Sequence, residues 1–131
     1  IPGFPRHAVR LSLGDRSIIE VPLSTVRKCG INLPVSGGGY FRLLPYPLIR
    51  RAFRTVNAEG FPFVVYCHPY EFHPRPLRLP HRFRGSGYWK RRLLETKQNL
   101  FRRTMRAKLA SLLDQFRFSS FQEALGNEIR R

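Results

Sequence analysis

The spacing of apolar residues changes between residues 46 and 67, and this change constrains the fold more than any other feature. Apolar side chains first recur at helical steps: Leu48, Ile49, Ala52, Phe53 and Val56. They predict an amphipathic helix over Tyr46–Ala58 that ends near Gly60. The apolar run at residues 63–67 is too short for a helix and predicts a buried strand. A helix followed directly by a strand favours an α/β layer arrangement over a β-sandwich.

Shorter elements are predicted before and after this unit. Pro and Gly interrupt residues 1–39, where residues 17–21 and 25–29 resemble short strands and no helix fits. Residues 72–87 are rich in Pro and Arg and predict an irregular loop, a kind of segment that often carries function.

The last third of the chain is predicted to be mainly helical. Apolar residues keep helical steps over residues 88–115, which predicts one long helix or two helices joined near Asn99. A strand at residues 116–118 is expected next. Ser120-x-x-Glu123 is a capping-box pattern, and it predicts a short helix that continues through Leu125.

His68 directly follows the predicted strand and is the first candidate for chemistry. The carboxyl end of a strand is where α/β proteins place catalytic and binding groups. An imidazole titrates near neutral pH and can donate a proton to a leaving amine, which amide hydrolysis requires. The alternative is a strand-end histidine with a satisfied hydrogen bond and no catalytic task.

Three glycines at positions 37–39 precede Tyr40 and Arg42 and form the second candidate site. Glycine lets the backbone turn tightly or approach a ligand closely, and Arg42 could then bind a sugar hydroxyl or carboxylate. An equally weighted alternative is a plain turn, with Arg42 paired to a carboxylate such as Glu71. The segment lacks the spacing of phosphate-binding glycine loops.

The remaining histidines and aromatic residues give weaker signals. His73 and His81 flank the proline-rich loop, but their spacing from His68 fits no familiar zinc pattern, so we expect no metal in this chain. Tyr88 and Trp89, together with Tyr70, could form a face on which a sugar ring stacks. Core or rim positions are an equal alternative for these three.

The net charge of +16 comes mostly from Arg and would favour a polyanionic partner such as nucleic acid. A small basic nucleic-acid-binding protein is therefore the rival function. The charges are scattered along the chain, however, and no recognised nucleic-acid-binding motif is present. A solvated surface with a compositional bias toward Arg explains the charge at least as well, and no specific nucleic acid is expected.

The sequence lacks two further patterns that would indicate a function, one built on cysteine and one on serine. Cys29 and Cys67 form no CxxC pair, and we expect free thiols. No G-x-S-x-G nucleophile elbow occurs, so nothing supports a self-contained hydrolase. No apolar run in the sequence approaches the length of a membrane-spanning helix.

Three strings occur in an order that resembles a known family: PVSGGGYFRLLPYP at residues 34–47, the strand with YCHPYE, and residues 104–125. They resemble the carboxyl-terminal part of polysaccharide deacetylases of carbohydrate esterase family four, in the exosortase-associated branch of exopolysaccharide gene clusters. GGGYFRLLPY and YxHPxE are fairly specific strings, whereas the final helix is generic. The resemblance covers nearly the whole chain.

The resemblance implies an α/β fold, a distorted (β/α) barrel, of which residues 1–131 would form the carboxyl-terminal part. In that family an Asp-His-His zinc site and an Asp base lie in the amino-terminal half, which we expect to precede Ile1. The chain would then be a fragment without a metal of its own, while zinc or another divalent metal is expected in the full-length parent. His68 matches the position of the family's general acid.

The resemblance also implies a substrate-binding set: Gly38, Gly39, Tyr40, Arg42, Tyr66, Tyr70 and Glu71. Two positions depart from the commoner form of the motif, with Tyr66 in place of a leucine that lines the acetyl pocket and Pro69 in place of an aspartate. The expected partners are a polysaccharide or oligosaccharide and the missing half of the domain. The sequence leaves the location unknown, and the cell envelope and the cytoplasmic face of the exopolysaccharide machinery are both compatible with the resemblance.

Overall fold

Two β-hairpins begin the part of the chain that the structure, a computed structural model, describes: residues 5–79 and 87–126. Strand β1 (Val9–Leu13) pairs antiparallel with β2 (Arg16–Glu20), and β3 (Thr25–Lys28) pairs antiparallel with β4 (Ile31–Pro34). Each sheet has two strands. Gly14 supplies the positive φ, 64°, that the first turn requires.

The strands predicted at residues 17–21 and 25–29 are confirmed as β2 and β3, with bounds that differ by one residue. Their partners β1 and β4 were not predicted. For β1 the signal was present, because Val-Arg-Leu-Ser-Leu alternates apolar and polar side chains.

Two helices follow the hairpins. Helix α1 (Gly38–Leu43) contains two of the three glycines, at a position where one of the two alternatives was a plain turn leading into a helix. Phe41, fully buried, anchors this short helix to the core and offsets the low helix propensity of glycine. Helix α2 (Tyr46–Ala58) has the predicted bounds, and Pro47 lies in its first turn.

Residues 63–67 lie in an extended conformation, but they do not form the predicted strand. Tyr66 makes an isolated parallel bridge with Gly37, and its N–H donates to the carbonyl of Ser36 at 3.2 Å. The N–H of Val64 donates instead to the Ser24 side-chain oxygen at 2.7 Å. A side chain thus replaces the backbone partner that a continuous ladder would need.

The carboxyl-terminal part contains helices α3 (Tyr88–Asn99), α4 (Met105–Gln115) and α5 (Phe121–Ala124), with a 3₁₀ turn at Arg102–Thr104. The alternative of two helices joined near Asn99 is confirmed. The capping box is confirmed too, since the N–H of Glu123 donates to Ser120 Oγ at 3.2 Å and Glu123 Oε2 accepts from the Ser120 N–H at 3.1 Å.

The strand predicted at residues 116–118 is wrong, because no described residue pairs with this segment. Its aromatic rings pack on α2 instead. The ring centroids of Phe116 and Phe53 lie 4.9 Å apart, and those of Phe118 and Phe53 lie 6.3 Å apart. Ring packing therefore accounts for the apolar pattern that suggested a strand.

The core lies between α1, α2 and α4, with the extended segment along one side. Its buried side chains are Phe41, Ile49, Phe53, Met105 and Leu112. Phe63 stacks on Phe53 with 3.7 Å between ring centroids. Of the helices in the described part, none combines the length and the apolar character needed to cross a membrane. The barrel implied by the resemblance stays a prediction.

Candidate functional site

His68 lies where the extended segment meets a short 3₁₀ helix, Pro69–Phe72. Pro69 suits this junction for two reasons: it restricts the preceding residue to extended backbone, and the first helical position needs no N–H donor. His68 accordingly has φ −95° and ψ 145°. The sequence HPYE thus fixes the direction in which the chain presents the imidazole.

The half-buried imidazole of His68 lies between two tyrosines. Tyr70 stacks on it at 5.2 Å between centroids with an interplanar angle of 20°, and Tyr66 contacts it edge-on at 4.8 Å. The Tyr66 hydroxyl is 3.4 Å from His68 Nδ1. Within the described residues, no protein atom hydrogen-bonds to Nε2, so this nitrogen is available to a ligand.

A buried ion pair holds the His68 backbone. Glu71 Oε1 lies 3.2 Å from Arg42 Nη1, and the two side chains are only 1% and 4% exposed. Glu71 Oε2 accepts the N–H of His68 at 2.9 Å. Arg42 also donates to the carbonyl of Lys97 at 3.3 Å. Since breaking a buried ion pair typically costs about 3–5 kcal/mol, this network fixes His68 relative to α1 and α3.

Gly38 makes room for the Glu71 carboxylate. A Cβ at position 38 would lie 2.6 Å from Glu71 Cδ, closer than any ordinary contact, whereas a Cβ at Gly39 would meet nothing within 4 Å. The close approach predicted for this glycine segment therefore exists, but its partner is a protein carboxylate. Tyr40 is 49% exposed on the outer side of α1.

Arg102 supports the same loop, whereas the sequence suggested for it only a role, with Arg103 and Arg106, in the rival nucleic-acid-binding function. Its guanidinium donates to the carbonyls of Tyr70 and His73 and, at 2.6 Å, to Asn99 Oδ1. It is 7% exposed. Nothing in the sequence separates this Arg from its many neighbours of the same type, except its place between two helical segments.

Cys67 lies next to the ion pair. Burial, and then the nearby Glu71 carboxylate, raise the pKa of its thiol to about 11. Both Cys67 and the exposed Cys29 are free thiols. A thiol with so high a pKa is a poor nucleophile at neutral pH, so Cys67 is not a candidate for covalent catalysis.

The structure thus brings together most of the predicted site: His68, Gly38, Arg42, Tyr66, Tyr70 and Glu71. Arg42 makes the pair with Glu71 that the sequence offered as an alternative to substrate contact. Tyr88 and Trp89 are 60% and 82% exposed and contact each other edge-on, 5.5 Å between centroids.

Of the two histidines around the proline-rich loop, only His73 is described, and it does not contact His68. His73 is exposed and its Nδ1 accepts the N–H of Arg75 at 3.2 Å, while His81 lies outside the described residues. In the described part, no three His, Cys, Asp or Glu side chains group together as metal ligands.

A cleft of about 420 Å³ does not include His68. It lies between the end of α2, the extended segment and α5, and Phe53, Phe63 and Phe116 are among the residues that line it. The candidate site around His68 is therefore identified by the chemistry of its side chains and not by this cleft.

A family model matches residues 1–126, and its description is a domain of unknown function, DUF3473. The chain belongs to this family. No curated protein and no solved structure matches the chain. The match covers the two hairpins, the glycine segment, the His68 loop and the carboxyl-terminal helices as one unit.

Proposed function

We propose that this chain is the carboxyl-terminal part of a metal-dependent polysaccharide N-deacetylase and that His68 is its general acid. One observation carries the proposal: a half-buried imidazole whose Nε2 has no hydrogen-bond partner among the described residues, held between Tyr66 and Tyr70 on a backbone that a buried ion pair fixes. The resemblance of GGGYFRLLPY and YxHPxE to the deacetylase family supplies the reaction class.

The proposed step is proton transfer to the leaving amine. As the C–N bond of the acetamido group breaks, its electron pair stays on nitrogen, which takes the proton from Nε2 of the His68 imidazolium. The neutral ring keeps its proton on Nδ1. The Tyr66 hydroxyl oxygen lies 3.4 Å from Nδ1 and can accept a hydrogen bond from the Nδ1–H group both before and after the transfer.

Substrate contact is assigned to the exposed members of the predicted set. Tyr40 and Tyr66 are 49% and 46% exposed, and Gly39 is exposed as well, so a sugar can reach them. Arg42 and Glu71 are buried, and in this proposal they position the His68 loop and do not touch the sugar. Tyr66 takes the place of the leucine that lines the acetyl pocket in the resembled family.

A divalent metal belongs to the full-length enzyme in this proposal, where it would activate the attacking water. A catalytic zinc needs three protein ligands. In the resembled family these ligands lie in the amino-terminal half of the domain, so residues outside this chain would hold the metal. The proposed partners of the chain are accordingly an N-acetylated glycan and the metal-bearing half of the domain.

The test compares the 131-residue chain with the product of the complete reading frame that encodes it. Both are purified, zinc per chain is measured, and acetate release from N-acetylated oligosaccharides is assayed. We expect release only from the complete product. Zinc binding together with acetate release by the 131 residues would overturn the fragment assignment, and a complete product that releases no acetate would overturn the proposed function.

A further inference from the structure

A second pocket lies beyond the His68 loop, and three arginines and a histidine are among the eight residues that line it. Its volume is about 350 Å³, and its walls come from the end of the 3₁₀ helix, the proline-rich segment and the corner between α3 and α4. The lining residues that matter here are Phe72, His73, Arg102, Arg103 and Arg106. No described carboxylate lines it.

Arg102 carries a buried charge in this pocket without an acidic partner among the described residues. It is 7% exposed, and all of its hydrogen-bond acceptors are neutral oxygens, those of Tyr70, His73 and Asn99. Its buried Nε has no hydrogen-bond partner among the described residues. Buried charges in proteins are normally paired with an opposite charge, and among the described residues this positive site lacks the anion that would balance it.

Arg103 and Arg106 add two exposed cations to the same pocket. Arg106 donates from Nε to the carbonyl of Phe72 at 3.1 Å, which orients the guanidinium and leaves its two terminal nitrogens for a ligand. Guanidinium groups bind carboxylate and phosphate through paired hydrogen bonds. Phe72 and two prolines form other parts of the pocket wall.

We propose that this pocket binds the carboxylate or phosphate group of an acidic sugar. The inference that the pocket binds an oxyanion depends only on the pocket itself. The choice of a sugar as the molecule that bears the oxyanion rests on the proposed function. A concave pocket of this volume suits a monosaccharide-sized group better than an extended nucleic-acid backbone. Because Arg102 also bonds the Tyr70 carbonyl, the anion would lie beside the loop that carries His68.

The test measures binding of a uronic-acid tetrasaccharide by isothermal titration calorimetry. A neutral tetrasaccharide, inorganic phosphate and a single-stranded oligonucleotide of equal charge are the comparison ligands. Arg103→Gln and Arg106→Gln alter the pocket, and Arg54→Gln is a charge-matched control on the exposed side of α2. Circular dichroism checks that each variant is folded.

We expect the uronate to bind at least about 10-fold more tightly than the neutral sugar, with inorganic phosphate as a competitor. Each pocket variant should weaken uronate binding about 10-fold, and Arg54→Gln should leave it within about twofold. Equal losses in all three variants, or no uronate binding, would overturn the oxyanion site. Tighter binding of the oligonucleotide would overturn the choice of a sugar. Neither outcome depends on whether acetate is released.

Discussion

At the scale of single residues, Glu71 connects the glycine segment to His68, the proposed general acid. One carboxylate oxygen pairs with Arg42 and the other accepts the N–H of His68, while the missing side chain of Gly38 provides the space. A charged carboxylate is stable in a buried position only when such partners surround it. The conformation of the His68 loop therefore depends on a residue 30 positions earlier, Gly38.

We predict opposite effects for two neighbouring glycine substitutions. Gly38→Ala should destabilise the protein by about 2 kcal/mol or more, because its Cβ would displace the paired Glu71 carboxylate. Gly39→Ala should stabilise it by about 0.5–1 kcal/mol, since it lies in α1 with open space around it. Urea unfolding of both variants checks this, and equal effects would contradict the close approach at Gly38.

The two cysteines should differ in reactivity. The raised pKa of Cys67, about 11 against an ordinary 9.0, leaves about 100-fold less thiolate at pH 8 than an ordinary thiol has. Cys29 is exposed. We expect iodoacetamide to modify Cys29 first, and the rate at Cys67 to rise about tenfold per pH unit up to its pKa. Mass spectrometry of the wild type and Cys29→Ser measures both rates. Faster labelling of Cys67 at pH 8 would contradict its burial.

At the scale of elements, α1 depends on α4 for its carboxyl end. Lys108 Nζ donates to the carbonyls of Phe41, Arg42 and Leu44 at 3.2, 2.7 and 2.8 Å. The last carbonyls of a helix have no partner within it, and a cation there also interacts favourably with the helix dipole. A glycine-rich helix of six residues is thus held by contacts from a distant element.

Lys108→Met should therefore weaken the attachment of α1. It keeps the apolar stem and removes three charged hydrogen bonds, so we expect a loss of about 2 kcal/mol in the free energy of unfolding. Lys97→Met, at an exposed position of α3, is the matched control and should change stability by less than about 0.5 kcal/mol. Denaturant titration measures both, and equal stabilities would show that the capping bonds contribute nothing.

The elements that sequence predicted well are those with local causes. The spacing of Ile49, Phe53 and Val56 was enough for α2, and Ser120 with Glu123 was enough for the start of α5. Helix α1 could not be predicted, because its stability comes from Phe41 in the core and from Lys108. The strand predicted at residues 63–67 failed for a similar reason, since a strand requires a partner that local sequence does not specify.

At the scale of the whole molecule, the candidate site is partly readable from sequence. His68 and its neighbours followed from the HPYE string, and Arg42 and Glu71 were paired as one of two alternatives. The structural role of Arg102 was missed, since it depends on the carbonyls of a loop that folds against this residue from 29 to 32 residues away. Long-range contacts of this kind leave no periodic signal.

The most direct measurement of the central claim is the kinetic effect of His68→Ala in the product of the complete reading frame. We expect kcat for acetate release to fall roughly 100- to 10,000-fold with KM within a few-fold, because a general acid acts in the transition state. His7→Ala, at the histidine that stacks on Phe61 outside the candidate site, should keep the wild-type kcat. Wild-type turnover in His68→Ala, or an equal loss in both variants, would contradict the assignment of His68 as the general acid.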